Sequence, residues 1–156
     1  MKFAQIAFAL GLALGALIEM PSALRAEEAK PPAVTQAAPG IKRTVLQKFD
    51  VPGTNYETTV MKVEFVPDHV VAAHTHPGPE ASYVLDGELT MTLAGQEPKL
   101  LQAGATSLFA AGVIHSAKVG PKGVALLNTY VLEKGKPFIT RVDASGAPLP
   151  AEPPKP

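Results

Sequence analysis

Two histidines, two residues apart, are the first feature of this sequence that suggests chemistry. Alternate side chains of an extended strand point to one face, so His74 and His76 would direct both imidazoles at one point. Residues 77–79, Pro-Gly-Pro, then break the strand and allow Glu80 to enter from a neighbouring one. A further nitrogen must come from a distant part of the chain, and His115 is the candidate. This set predicts a site for one divalent transition metal ion.

The alternative is that the histidine pair has no function, because such pairs also occur by chance on exposed strands. The surroundings favour a metal. His74, His76 and His115 are three of only four histidines, and all lie in apolar segments punctuated by glycine. A carboxylate without a positive partner in such surroundings would cost several kcal/mol. A bound cation would supply the missing charge for Glu80.

The spacing of these residues resembles the two sequence motifs of the cupin family. The first motif is matched by His74, His76, Glu80 and Gly87, and the second by Gly104, Gly112 and His115. The resemblance covers roughly residues 42–140 and is nearest to small single-domain cupins described as quercetin-dioxygenase-like. Asp68, Ala110 and Val119 depart from the motifs at positions that are not metal ligands in the family. The resemblance implies an all-β fold, the cupin double-stranded β-helix or jelly-roll barrel.

The predicted ligand set has three nitrogens and one oxygen, from His74, His76, His115 and Glu80. It leaves one or two positions for water, dioxygen or substrate, as open metal sites do. Imidazole and carboxylate accept Fe, Mn, Ni, Cu or Zn, and cobalt as well. The family resemblance implies iron, manganese or nickel, whereas affinity alone outside the cytoplasm favours copper or zinc. The identity of the ion therefore stays open.

Few other titratable groups are expected inside the fold. Tyr83 and Tyr130 are candidate proton donors near the metal, although half-buried packing is the competing interpretation of each. His69 follows the turn at residues 67–68 and does not alternate with His74 and His76, so we expect it to be an exposed loop residue.

The middle of the chain has the pattern of an all-β domain. Short runs rich in β-branched and aromatic residues recur between glycine and proline turns, and no segment after residue 40 holds a helical period. Residues 86–87, Asp-Gly, suggest a two-residue hairpin between strands at 81–85 and 88–93. Histidines from distant strands must face each other across a narrow interior, which a jelly roll provides.

Both ends of the chain differ from this domain. Residues 1–26 combine an early lysine, a 16-residue apolar run and small residues before a cleavage point, as a signal peptide does. We expect a flexible leader rich in proline and alanine at 27–41, the cupin domain at 42–140 and a disordered, proline-rich tail at 141–156. The apolar run is short for a stable membrane anchor, so the mature protein is predicted to be periplasmic or secreted.

Composition excludes several function classes. Basic and acidic residues number 14 each, which gives no long-range attraction for nucleic acid. The absence of cysteine excludes disulfides, thiolate nucleophiles and cysteine-ligated zinc. Two classes remain: a metal-dependent, dioxygenase-like oxidoreductase acting on a small oxygenated substrate, or a non-catalytic periplasmic metallo-cupin that binds or senses a small ligand. A lyase or isomerase would use the same metal site. By analogy with other small cupins, we expect a homodimer.

Overall fold

The computed structural model describes residues 33–150, with side chains from residue 38 onward, and this part of the chain is entirely β-structure. Its strands are β1 (Ala33–Ala38), β2 (Ile41–Asp50), β3 (Tyr56–Phe65), β4 (Val70–Thr75), β5 (Glu80–Leu93), β6 (Lys99–Gln102), β7 (Thr106–Phe109), β8 (His115–Glu133) and β9 (Thr140–Arg141). Within residues 33–150 there is no helix long and apolar enough to cross a membrane. The all-β prediction is confirmed.

All strand pairs are antiparallel, and β8 joins the two halves of the barrel. One path runs in the order β1-β2-β3-β8-β4-β9, while β5 pairs with β6, β7 and β8. The long strands β5 and β8 pair with each other over most of their length, from Glu80 opposite Tyr130 to Leu93 opposite His115. This pairing lets residues that are far apart in sequence face one interior.

A bend in β5 replaces the hairpin predicted at residues 86–87. Asp86 and Gly87 lie inside one strand, and its register against β8 shifts on both sides of them. Gly87 has a φ of 77°, and a Cβ there would overlap the carbonyl oxygen of Gly123 in β8. Gly87 therefore needs its positive φ because β5 bends where its backbone closely approaches β8. The chain does not reverse its direction there.

Alternation along the strands separates the interior from the surface. In β3, Met61 and Val63 are buried, while Lys62 and Glu64 lie on the outer face and form an ion pair at 2.8 Å. The core consists of inward-facing residues of β3, β5 and β8 together with Leu101 and Phe109.

The structure differs from the predicted flexible leader and disordered tail. Ala33–Ala38 forms β1 and pairs with β2, because the turn at residues 39–40 returns the chain on itself. Arg141 belongs to β9, and Val142 is buried and forms a β-bridge with Pro148. Ordered backbone pairing therefore extends past residues 42–140 at both ends. The predicted signal peptide lies outside the described residues.

Candidate metal centre

Strands β4, β5 and β8 bring the four predicted metal ligands together. His74 on β4 lies directly opposite His115, the first residue of β8. His76 follows immediately after β4, and Glu80 begins β5 opposite Tyr130. The strand register explains why residues 41 positions apart in sequence meet: antiparallel partners point to the same face.

The three histidines form a compact, buried triad. One ring nitrogen from each of His74, His76 and His115 lies within 4.8 Å of the others. All three side chains are buried, with at most 7% of each residue exposed. Such a triad of neutral imidazoles is a ligand set that can hold a transition metal ion.

Backbone carbonyls fix the orientation of each imidazole. Nδ1 of His74 lies 2.8 Å from Ala72 O, and Nδ1 of His76 lies 2.7 Å from Phe138 O. Nδ1 of His115 lies 3.0 Å from Val113 O. Because a carbonyl only accepts, each Nδ1 must carry the proton. In the neutral rings, Nε2 is therefore the lone-pair nitrogen available to a metal.

Glu80 presents one carboxylate oxygen to the protein and the other to the histidines. Oε1 accepts hydrogen bonds from Ser82 Oγ at 3.1 Å and from Asn128 Nδ2 at 2.7 Å. Oε2 is buried without a hydrogen-bond partner, 3.1 Å from Nε2 of His76 and 3.5 Å from Nε2 of His115. Two acceptors at that separation repel each other, so a proton or a metal ion must lie between them.

The electrostatics of the site keep His74 and Glu80 in the forms that can bind a metal ion. Burial, and after it the nearby His115, lower the pKa of His74 to about 4, so His74 is neutral at physiological pH. Burial alone would raise the pKa of Glu80, but the close ring nitrogens of His115 and His76 outweigh it and lower this pKa. Glu80 is therefore ionised.

Tyr130 and Asn128 extend the site beyond the predicted ligands. Asn128 Nδ2 donates to Tyr130 Oη at 2.7 Å as well as to Glu80, and both residues are buried. Burial and then the charge of Glu80 raise the pKa of Tyr130 well above its usual value, so its phenol keeps its proton. Tyr130 is thus buried beside Glu80 in its protonated form, whereas the sequence prediction missed Asn128. The sequence contains a signal for Asn128, because inward and outward residues alternate over residues 124–132 of β8 and Asn128 is the polar residue of the inward row.

Aromatic rings enclose the site. Phe109 stacks on His115 with centroids 4.7 Å apart, and Tyr130 and Phe138 each lie 5.1 Å from the ring of His76. The cavity over the triad has a volume of about 60 Å³, which is room for roughly four to six water molecules. Only a small molecule fits it without rearrangement.

Tyr83 and His69 lie away from the triad. Tyr83 is 43% exposed on the outer face of β5, where Leu85 and Leu108 are exposed too, so it is not placed to donate a proton at the site. Tyr83 is one residue out of phase with Glu80 and Ser82, which point inward. His69 lies in the loop before β4, as expected, but it is half-buried beside Phe65, with ring centroids 5.5 Å apart.

The expected homodimer stays a prediction, for which the apolar outer face of β5 and β7 offers a surface.

Comparison with solved structures supports the same architecture. An RmlC-like cupin from Shewanella frigidimarina is 26% identical with a TM-score of 0.56, over 70% of this chain and 95% of that one. A double-stranded β-helix protein from Klebsiella pneumoniae is 23% identical with a TM-score of 0.51, over 67% of this chain and 87% of that one. The polyketide cyclase RemF from Streptomyces resistomycificus is 20% identical with a TM-score of 0.55, over 74% and 81%.

The sequence itself decides the family. No curated protein matches the chain significantly. The pattern of the cupin domain family, however, matches residues 61–139, which contain all three histidines of the triad and Glu80. With nine antiparallel strands among residues 33–150 and the triad inside them, this chain belongs to the cupin domain family.

Proposed function

We propose that this protein binds one divalent transition metal ion through His74, His76, His115 and Glu80, and that it is a metal-dependent enzyme. The observation that carries the proposal is the buried Oε2 of Glu80, which faces two ring nitrogens without a hydrogen-bond partner. A cation held between these atoms removes the repulsion and neutralises the carboxylate. The donor set fits an ion such as iron, manganese, nickel, copper or zinc.

We assign the reaction to the quercetin-dioxygenase-like type, an oxidation of a small oxygenated substrate. A metal ion in the site would supply dioxygen activation or polarisation of a substrate oxygen. The protein contributes the rest: Asn128 and Ser82 hold Glu80 in place, and Phe109 and Phe138 pack against the rings of His115 and His76. The small cavity selects small substrates.

A lyase or isomerase is the second candidate, and Tyr130 favours it. Its phenol is buried next to Glu80 and keeps its proton, as a group that donates or exchanges a proton with substrate must. The fold does not choose between these reactions. A non-catalytic metallo-cupin that binds or senses a small ligand would need the metal but no proton donor.

Oxygen uptake by the metal-loaded protein, measured with a panel of small phenols and enediols, tests the proposal. We expect uptake that requires both substrate and metal and that stops when a chelator removes the ion. Substrate loss without oxygen uptake would assign the lyase or isomerase instead. Metal binding with no turnover of any compound would leave the non-catalytic function.

The two tyrosines provide a matched control for this experiment. Tyr130→Phe removes the buried phenol oxygen and should lower turnover roughly 100-fold if that group transfers a proton. Its metal content should be unchanged. Tyr83→Phe removes an exposed phenol and should behave as wild type. Equal turnover in the two variants would exclude Tyr130 as the proton donor.

We further propose that the protein acts outside the cytoplasm, as the signal-like residues 1–26 indicate. Mass spectrometry of the protein purified from its native host should find Glu27 at the amino terminus. Intact Met1 in a membrane fraction would contradict export with cleavage and would favour an uncleaved anchor.

A further inference from the structure

Arg43 lines the cavity of the triad without belonging to the proposed metal site. It lies on β2 directly opposite Val63 of β3, and Val63 is buried at 3% exposure. Opposed residues of an antiparallel pair point to the same face, so Arg43 points inward as Val63 does. It lines the same cavity as His74, Glu80 and Tyr130.

Arg43 forms no ion pair with a carboxylate among the side chains that the structure describes. The neighbouring cations of β2 have carboxylate partners: Lys42 with Glu64 on the outer face at 3.8 Å, and Lys48 with Glu57 at 2.7 Å. Among the described side chains, no such pair includes Arg43. Its electrostatic neighbour in the cavity is Tyr130, whose phenol is neutral.

A metal ion in the site would give the cavity a net positive charge. The walls contribute one negative charge from Glu80 and one positive charge from Arg43, so these two cancel. The two positive charges of a divalent ion would then stand uncompensated in a cavity whose other walls include Val63, Phe65 and Val71. Buried charge of one sign is costly, and an anionic ligand would offset it.

We propose that Arg43 determines substrate specificity by binding a carboxylate of the substrate, and that the substrate is a small acid with a second oxygen directed at the triad. This inference rests on the proposed metal-dependent function. A guanidinium presents parallel N–H donors that match a carboxylate, which a simple alcohol or phenol cannot use in full. The cavity volume of about 60 Å³ requires both groups to belong to one small molecule.

Binding of lactate and of its uncharged analogue lactamide to the cobalt-loaded protein tests this inference without any assumption about turnover. Both probes carry the same hydroxyl, and only lactate carries the carboxylate. Titration followed by the visible spectrum of cobalt and by calorimetry gives the dissociation constants. We expect Arg43→Met to weaken lactate binding roughly tenfold or more, as loss of a charge-assisted hydrogen bond does, and to leave lactamide binding unchanged.

Lys42→Met is the matched control, because it removes the adjacent cation of β2, which lies on the outer face. Its lactate affinity should equal that of wild type, and Arg43→Lys should lie between wild type and Arg43→Met. If Arg43→Met does not fold, Arg43→Gln takes its place in the same comparison.

The outcomes separate the two proposals. Wild-type protein that binds no cobalt refutes the metal-dependent function, and the inference with it. Full cobalt content in every variant, with lactate bound no better by wild type than by the Arg43 variants, overturns the inference and leaves the metal site standing. An equal loss of affinity in Lys42→Met would also overturn it, since the effect would then come from net charge.

Discussion

The His76→Ala variant is expected to lose its metal ion, with an affinity at least about a hundredfold below that of wild type. Mutation of a residue that only supports a metal ligand lowers metal affinity about 10- to 100-fold. His76 is proposed as a ligand itself, so its loss should have a larger effect. Its removal also takes away the nitrogen 3.1 Å from Oε2 of Glu80 and leaves that carboxylate less neutralised. Elemental analysis of the purified proteins measures the result: one ion per wild-type chain and almost none in the variant.

His69→Gln is the control for the loss of a histidine, because His69 lies in the loop before β4 and is not one of the triad. It should keep one ion per chain. Acidification provides a second readout. The pKa of His74 lies near 4 in the fold, below its usual value of 6.5, so stability is full above pH 6.5. Between about pH 6.5 and 4 the unfolded chain takes up the proton first, so stability should fall there, and metal binding should weaken as the pH approaches 4 and His74 itself is protonated. Equal metal content in wild type, His76→Ala and His69→Gln would disprove the site.

The triad could be predicted from sequence because its information is local. Alternation in one strand fixes the common face of His74 and His76. The strand that pairs with it then has to supply only one more histidine, His115, to complete the triad. The same local rule places Tyr83, which is one residue out of phase with Glu80 and Ser82 in β5 and faces outward. The position of Tyr130 at the site depends instead on the register of β5 against β8, which a single sequence does not give.

The bend of β5 and the role of Arg43 depend on contacts between distant segments. Residues 86–87 have the composition of a hairpin turn, and Gly87 does have a positive φ, but β5 continues through both residues and pairs with β8 on either side of them. Asp68, where the family often has glycine, likewise adopts a φ of 59° in a turn. Arg43 stands beside Lys42 on β2, and only the register against β3 shows which of the two faces the cavity.

The largest effect on stability is expected from Gly78→Ala, in the turn between His76 and Glu80. Gly78 is buried, and a Cβ there would overlap the carbonyl oxygen of Val131 on β8 and lie 2.8 Å from its carbon. The same contact region contains the hydrogen bond from Val131 N to Pro79 O at 3.1 Å. Both obstacles are backbone atoms, so the turn must move as a unit. Overpacking of this kind costs about 3 kcal/mol or more.

Because the turn carries ligands on both sides, Gly78→Ala should weaken metal binding as well as lower the free energy of unfolding. The amide of Gly112 donates to the carbonyl of His76 at 3.0 Å, and a displaced turn strains that bond too. Urea unfolding followed by circular dichroism, with and without metal, measures both effects. Gly95→Ala is the control: it places a Cβ in open space at a φ of 76° and should cost only the strain of that conformation, about 1–2 kcal/mol, with metal affinity unchanged. If the two variants lose equal stability and Gly78→Ala keeps its metal, the contact with Val131 does not position the ligands.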